Sequence, residues 1–314
     1  MKKSFKPIDL QNIETYSIKD RKSKVDVKDL GSHFQKGSSF SYFVNTLPNI
    51  LAAGDIKEVA ESVVAAYKAK KVVAIGMGAH VIKVGLGPII IDLMEKGIIT
   101  SIAMNGAGIV HDSELAMIGQ TSEDVAAELK GGAFGMAEET GRVLNEAISE
   151  GVKKGQGIGR SVGERLLKEK FPYNDKSILV AGARLDIPVT VHVAVGTDII
   201  HMHPQCSGAA IGEGSHTDFR IFSSVISKLE RGVYLNIGSA VILPEVFLKA
   251  LTLVRNLGHE VNNFTTVNMD FIQGYRPLTN VCKRPTMTGG RGYSLTGHHE
   301  IMLPLLAAMV KELL

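Results

Sequence analysis

Three groups of side chains in this sequence have the types and spacing for chemistry. His111 and Asp112 follow the turn "NGAG" at the point where a strand hands over to a helix, and both read as pocket residues. Asp198, His201, His203 and Cys206 crowd into "GTDIIHMHPQC", just downstream of His192. Lys283 and Arg284 stand beside a proline in "NVCKRPTMTGGRGYS". An imidazole titrates near neutrality, which suits proton abstraction, so His111 or a nearby Asp198 or histidine is a candidate general base. His201 and His203 would share one face of a strand, and with Asp198 or Cys206 they could ligate zinc. The spacing matches no strong zinc motif, so the preferred reading is polar lining of a substrate pocket with no metal. A metal-dependent hydrolase is the alternative. His192 lies inside an apolar run and reads as a core histidine. A covalent lysine needs burial or a cationic neighbour. Arg284 supplies the neighbour, while the Pro/Thr/Gly context reads as a solvated loop. "GGRG", residues 289–292, reads as a mobile turn whose Arg291 could meet an anion.

These side chains need a scaffold to position them. Short apolar runs such as "KVVAI", "ITSIAM", "SILVAG", "IPVTVHVAVG", "VYLNI" and "NFTTVNMDF" read as strands, the continuous ones as strands buried on both faces. Between them lie helical stretches, for example Ile56, Val59, Ala60, Val63 and Val64 at helical spacing. Strands alternating with helices predict an α/β fold: a doubly wound, mostly parallel, Rossmann-like sheet with helices on both faces. The domain plan is a polar, lysine-rich arm over 1–36 and a single α/β nucleotide-binding domain over 37–314. Glycine-rich turns ("GMGAH", "NGAG", "NIGSA") end several strands, and "TGHHE" precedes the last helix. Glycine lets backbone N–H groups approach a phosphate, and a helix N-terminus adds positive partial charge. "GMGAHV" lacks the third glycine of GxGxxG, so the case for a dinucleotide pocket rests on the four turns together.

Composition excludes some classes. A formal charge of +3 on 314 residues, with no basic stripe, argues against a nucleic-acid partner. The longest apolar runs are too short to span a bilayer, so no membrane partner is expected. "MKKSFKPIDL" begins with the charge of a leader but has no apolar run behind it. Cys206 and Cys282 form no CxxC and read as free thiols of a cytoplasmic protein.

The order of motifs resembles the deoxyhypusine synthase family over roughly residues 70–310. The resemblance rests on "MNGAGIVHDSEL", "GTDIIHMH", "LNIGSAVILPEVF", and "VNMDFIQGYRP" followed by "LPLLAA". It implies a parallel α/β fold, NAD bound at the carboxyl edge of the sheet, and a homotetramer. It also implies dehydrogenation of an amine or polyamine-type substrate, with alkylamine transfer through a lysine as a further step. Carried onto this sequence, Asn105, Gly106, Ala107, Gly108, Gly238, Ser239, Thr296, Gly297 and His298 would contact NAD. Asp198 takes the acidic substrate position, and Lys283 is the candidate covalent lysine. There are departures. The chain has no tryptophan and so lacks the family's Trp-Gly-Lys. The family lysine falls near Pro285, two residues past Lys283, and His111 stands where the family has an amine-binding glutamate. The expectation is therefore an NAD-dependent enzyme acting on a small-molecule amine, with Lys283, His111 and Asp198 as its catalytic candidates. A genuine deoxyhypusine or homospermidine synthase using Lys283, and a non-catalytic nucleotide-binding protein, are the other readings.

Overall fold

Residues Val73–Met77 form β1, and all five are buried. A run with no polar side chain must be covered on both faces, which a parallel sheet between helix layers achieves. The computed structural model describes residues 4–314; the first three residues of the arm expected over 1–36 lie outside the described residues. The further strands are β2 (Ser101–Asn105), β3 (Val189–His192), β4 (Val233–Ile237), β5 (Thr265–Asp270) and β6 (Arg291–Thr296). They form one sheet in the order β3-β2-β1-β4-β5-β6. Every pairing is parallel. Two three-stranded halves thus wind outward from β1 and β4, and the winding reverses between those two strands. Met77 pairs with Met104 on one side and Ile237 on the other, so these carboxyl ends finish level.

The two-residue period of the strands sorts side chains onto two cores. Val73, Ile75, Met77, Val233, Leu235 and Ile237 face one layer, which includes helices Leu51–Lys68 and His299–Glu312. The apolar spacing at Ile56, Val59, Ala60, Val63 and Val64 is the buried face of the first of these helices. Ala74 and Tyr234 face the other layer, with Phe222 from helix Gly208–Ile226 and Phe247 from helix Ile242–Asn256. Tyr234 stacks on Phe247, their ring centroids 4.0 Å apart. It also overlies Gly76, where a Cβ would stand 2.1 Å from the phenol oxygen. That glycine is therefore required by packing.

The crossover from β2 to β3 is long and carries helices Gly106–Ile118, Glu138–Val152, Ile158–Glu169 and Ile178–Leu185. Two buried carboxylates tie it together. Asp112 accepts from the Ser177 hydroxyl and from the N–H groups of Ile178 (2.9 Å) and Leu179 (3.0 Å), capping the last of these helices. Asp218 accepts from Gly159 N–H (3.0 Å) and Val191 N–H (2.9 Å), joining a helix start to β3. The strand expected at "SILVAG" is therefore a helix, and Asp112 is a cap, not a pocket residue. The mobile turn expected at "GGRG" leads directly into β6, where Arg291 pairs with Glu58 at 3.3 Å.

Residues 4–28 of the arm are exposed throughout. Backbone bonds from Asn49 N–H to Asp29 (3.0 Å) and from Ser32 N–H to Thr46 (2.9 Å) first join the arm to the body. Among the described residues no helix is long and apolar enough to cross a membrane.

Candidate functional site

The carboxyl ends of β1 and β4 meet glycine to glycine. Gly78 N–H donates to Ile237 (3.0 Å) and Gly238 N–H to Met269 (3.0 Å). A Cβ on Gly78 would lie 2.2 Å from the Gly238 carbonyl oxygen, and Gly238 has φ +65°. A side chain at Gly78 would displace backbone, and one at Gly238 would be strained by its φ and meet the His299 ring at 2.9 Å. A cavity opens on either side of this seam. Lys83, in the short helix His80–Lys83, borders one, and His80 borders the other.

The first cavity, about 230 Å³, lies over the β2–β3 half and is lined by His111, Asp198, Lys83, Glu114 and Glu123 among others. The helix Gly106–Ile118 positions His111; the loop after β3 brings in Asp198. Asn105 caps this helix, its Oδ1 accepting from Gly108 N–H at 3.1 Å. The Asp198 carboxylate packs on Gly106, where a Cβ would be 2.1 Å from Oδ2. The chain's own carboxylate thus occupies the helix N-terminus where a dinucleotide phosphate was expected. A phosphate placed there would meet like charge, so Asn105, Gly106, Ala107 and Gly108 do not fit a phosphate cradle. Burial raises the pKa of Asp198, while His201, Thr197 and the Ala107 N–H lower it. Its Oδ2 is buried without a hydrogen-bond partner. His111 has the opposite tendency: burial depresses its pKa, Glu114 raises it and Lys83 lowers it. Burial and Lys83 therefore favour its neutral form. Its Nδ1 lies 2.6 Å from Thr121 Oγ1, which donates to Glu114.

The second cavity, about 480 Å³, lies over the β4–β6 half, with His80, Ala240, Asp270, Phe271, His298 and His299 on its walls. The turn entering helix Ile242–Asn256 borders it. Ser239 Oγ caps this helix by accepting from Leu243 N–H at 3.1 Å. The N–H groups of Ser239, Ala240 and Val241 have no acceptor among the described residues. Free backbone donors at the start of a long helix, at the point where the winding reverses, suit a phosphate. Gly238 and Ser239, expected to contact NAD, stand at the carboxyl end of β4 where this turn begins. Thr296, Gly297 and His298 lie at the same edge: Thr296 pairs with Asp270, and Gly297 N–H donates to the Asp270 carbonyl at 3.3 Å. The His298 ring stacks on Phe271 at a centroid distance of 4.5 Å and leaves an exposed aromatic face. His299 is buried, with Nε2 3.2 Å from the Met269 carbonyl oxygen.

Other expected residues take different places. Lys283 is exposed and ends the helical turn Leu278–Lys283. Cys282 beside it packs on Gly292 at the beginning of β6, and Arg255 binds Pro285 just beyond. Lys283 is thus at the amino end of the sheet, and the fold does not bring it to His111 and Asp198. The zinc alternative also fails in geometry. His203 Nε2 lies 2.8 Å from the Gly135 carbonyl oxygen, and His201 Nδ1 accepts from Gly196 N–H at 3.1 Å. Among the described residues no three His, Cys, Asp or Glu side chains converge as a ligand set. His192 is buried against Phe222, its pKa pushed down to about 3 by burial, and is the core histidine expected. Cys206 and Cys282 are free. The sequence reading did not identify Glu114, Thr121, His80, Asp270, Phe271 or His299. Only Glu114 gave a local signal, because three residues after His111 on a helix is the same face.

Neither a family model nor a curated protein matches the sequence. Solved structures do match the fold. A protein described as LOR/SDH from Methanococcus maripaludis S2 matches 84% of this chain and 71% of its own, at 15% identity and a TM-score of 0.54. AgrE, solved with ornithine and NAD+, matches 82% of this chain at 16% identity and a TM-score of 0.50. This chain spans 33% of the AgrE chain, about a third of its length. A protein described as a deoxyhypusine synthase from Entamoeba histolytica matches 89% of this chain and 95% of its own, at 14% identity and a TM-score of 0.49. At such identities the likeness is one of fold: the doubly wound, Rossmann-like architecture expected from the motif order.

Proposed function

We propose that this chain is an NAD-dependent enzyme that dehydrogenates a small amine held between His111 and Asp198. The observation that carries this reading is that one cavity of about 230 Å³ is lined by both His111 and the buried Asp198, whose Oδ2 has no hydrogen-bond partner. A buried carboxylate is costly until a positive group meets it. A substrate ammonium would supply that charge at Asp198 Oδ2, and His111 would take the proton as the nitrogen becomes neutral. Gly238, Ser239 and the free N–H groups of the β4 turn would hold the dinucleotide phosphates, with the aromatic face of Phe271 and His298 beside them. NAD, when bound, accepts the hydride from the carbon next to that nitrogen. The NAD complex of AgrE, a chain of the same fold, supports the choice of cofactor. Alkylamine transfer, the finer activity, would need an acceptor other than Lys283, since that lysine lies at the far end of the sheet.

The test is calorimetric titration with NAD, followed by NADH formation across a panel of mono-, di- and guanidino-amines. Micromolar binding with amine-dependent NADH formation is the expected result. Binding without turnover on any amine would leave a non-catalytic nucleotide-binding protein. Absence of binding would remove the cofactor from the reading altogether.

A further inference from the structure

The surroundings of His111 determine which of its two nitrogens is basic. Thr121 Oγ1 is 2.6 Å from His111 Nδ1 and donates its proton to Glu114 Oε2. The other Glu114 oxygen accepts from Thr140 Oγ1 at 3.0 Å. A threonine hydroxyl has one hydrogen, so with that hydrogen on Glu114 it offers His111 only a lone pair. The proton of the neutral imidazole must then sit on Nδ1, which leaves the lone pair on Nε2. Nε2 makes no hydrogen bond among the described residues, and the ring lines the same cavity as Asp198. We infer that Thr121 and Glu114 are positioning residues that hold His111 as its Nδ1–H tautomer and so present a basic Nε2 to the substrate cavity. The inference rests on the reading of His111 as the general base.

Charged groups from every adjoining element face the ring. Glu114 shares its helix, Lys83 comes from the helix after β1, Glu123 from the segment after Gly119, and Asp198 from the loop after β3. Burial and Lys83 favour the neutral ring, and Glu114 favours the charged one. The neutral form is the one able to accept a proton, and the relay selects its tautomer. After Nε2 is protonated, Nδ1–H remains on Thr121. The Glu114 carboxylate, 3.9 Å from Nδ1, then stabilises the imidazolium.

The experiment is two-bond 15N–1H correlation spectroscopy of the full chain with 15N-histidine, without cofactor or substrate. His111→Gln assigns the signals. Wild type and Thr121→Ser should show Nδ1 protonated and Nε2 bare at pH 8, whereas Thr121→Val should shift the proton toward Nε2. Glu114→Gln should lower the His111 pKa, because a raising influence is removed. A wild-type ring protonated on Nε2, or a Thr121→Val ring still protonated on Nδ1, overturns the inference. An unchanged His111 pKa in Glu114→Gln removes Glu114 from it. On the proposed reaction, Thr121→Val should lower kcat about tenfold with KM little changed, the order of effect of a misplaced base. Because the spectra need no turnover, the two readings can fail separately. The expected tautomer with no NADH from any amine would leave the positioning intact and end the proposed function.

Discussion

Asp218→Asn should change how stability depends on pH, and the size of the change follows from the burial of that carboxylate. Burial pushes Asp218 up to about 7, although the N–H groups of Gly159, Val191 and Ile158 pull the other way. In the unfolded chain the group has its ordinary value of 3.8. Between those values the folded chain holds a proton that the unfolded chain has released. The Asp218 contribution is therefore complete below the unfolded value and is lost as pH rises through the folded one. At about 1.4 kcal/mol per pH unit, the gap corresponds to about 4 kcal/mol. That gap is already net of the pull of the N–H groups at the start of helix Ile158–Glu169. His192, pushed down to about 3, has the opposite sign: its contribution is lost as pH falls. A pH scan of wild type alone would mix the two, so the quantity to read is the difference between wild type and Asp218→Asn. Urea unfolding of both proteins from pH 4 to pH 8 gives that difference. Wild type should lose about 4 kcal/mol relative to the variant across the range, most of it below pH 7. A flat difference, or one that grows in favour of wild type, would mean that the helix N–H groups outweigh burial and that Asp218 is ionised throughout.

The remaining predictions concern the two cavities. His111→Ala should leave NAD affinity unchanged in calorimetry while lowering amine-dependent NADH formation about 10²–10⁴-fold, the usual worth of a general base. Ser239→Ala removes the cap on Leu243 and should cost about 1 kcal/mol in thermal unfolding, with weaker NAD binding measured in parallel. Phe271→Ala removes the partner of His298 and should weaken NAD binding by about 0.5–1.5 kcal/mol if a ring of the cofactor stacks there. Lys283→Ala should leave both NAD binding and NADH formation within about twofold of wild type, because exposed sites distant from the chemistry contribute little.

Much of the fold was legible, for identifiable reasons. β1, β2 and β4 are short, mostly apolar runs that end at a glycine turn, and a buried parallel strand leaves that signature. "ILVAG" gives the same signature but forms a helix, its first turn capped by Ser177 just before it and by the carboxylate of Asp112, far away in sequence. Periodicity over five residues cannot separate those cases. β6 was hidden for the opposite reason: "RGYSLT" is an edge strand with few apolar side chains, and its pairing to β5 is a long-range fact. His111 and Asp198 were visible as chemical types beside turns. The turn "NGAG" was visible too, but its occupant, Asp198, arrives from the loop after β3, far away in sequence. The Thr121–Glu114 relay depends on how the chain returns past the end of one helix, and no local pattern encodes that.

The glycine seam has a mechanical consequence. Gly78 and Gly238 extend the sheet's hydrogen bonding one step past the last paired residues, and no side chain separates the two backbones. The floor between the cavities is therefore main chain bonded to main chain. Opening to admit a ligand falls instead to the walls. On one side the wall is the segment holding Ser122, Glu123 and the short, exposed helix Val125–Leu129. On the other it is the exposed Phe271–Ile272 corner. The Ser122–Glu123 segment also lines the neighbouring cavity bounded by Thr140 and Arg165, so on that side a single wall is shared between two cavities.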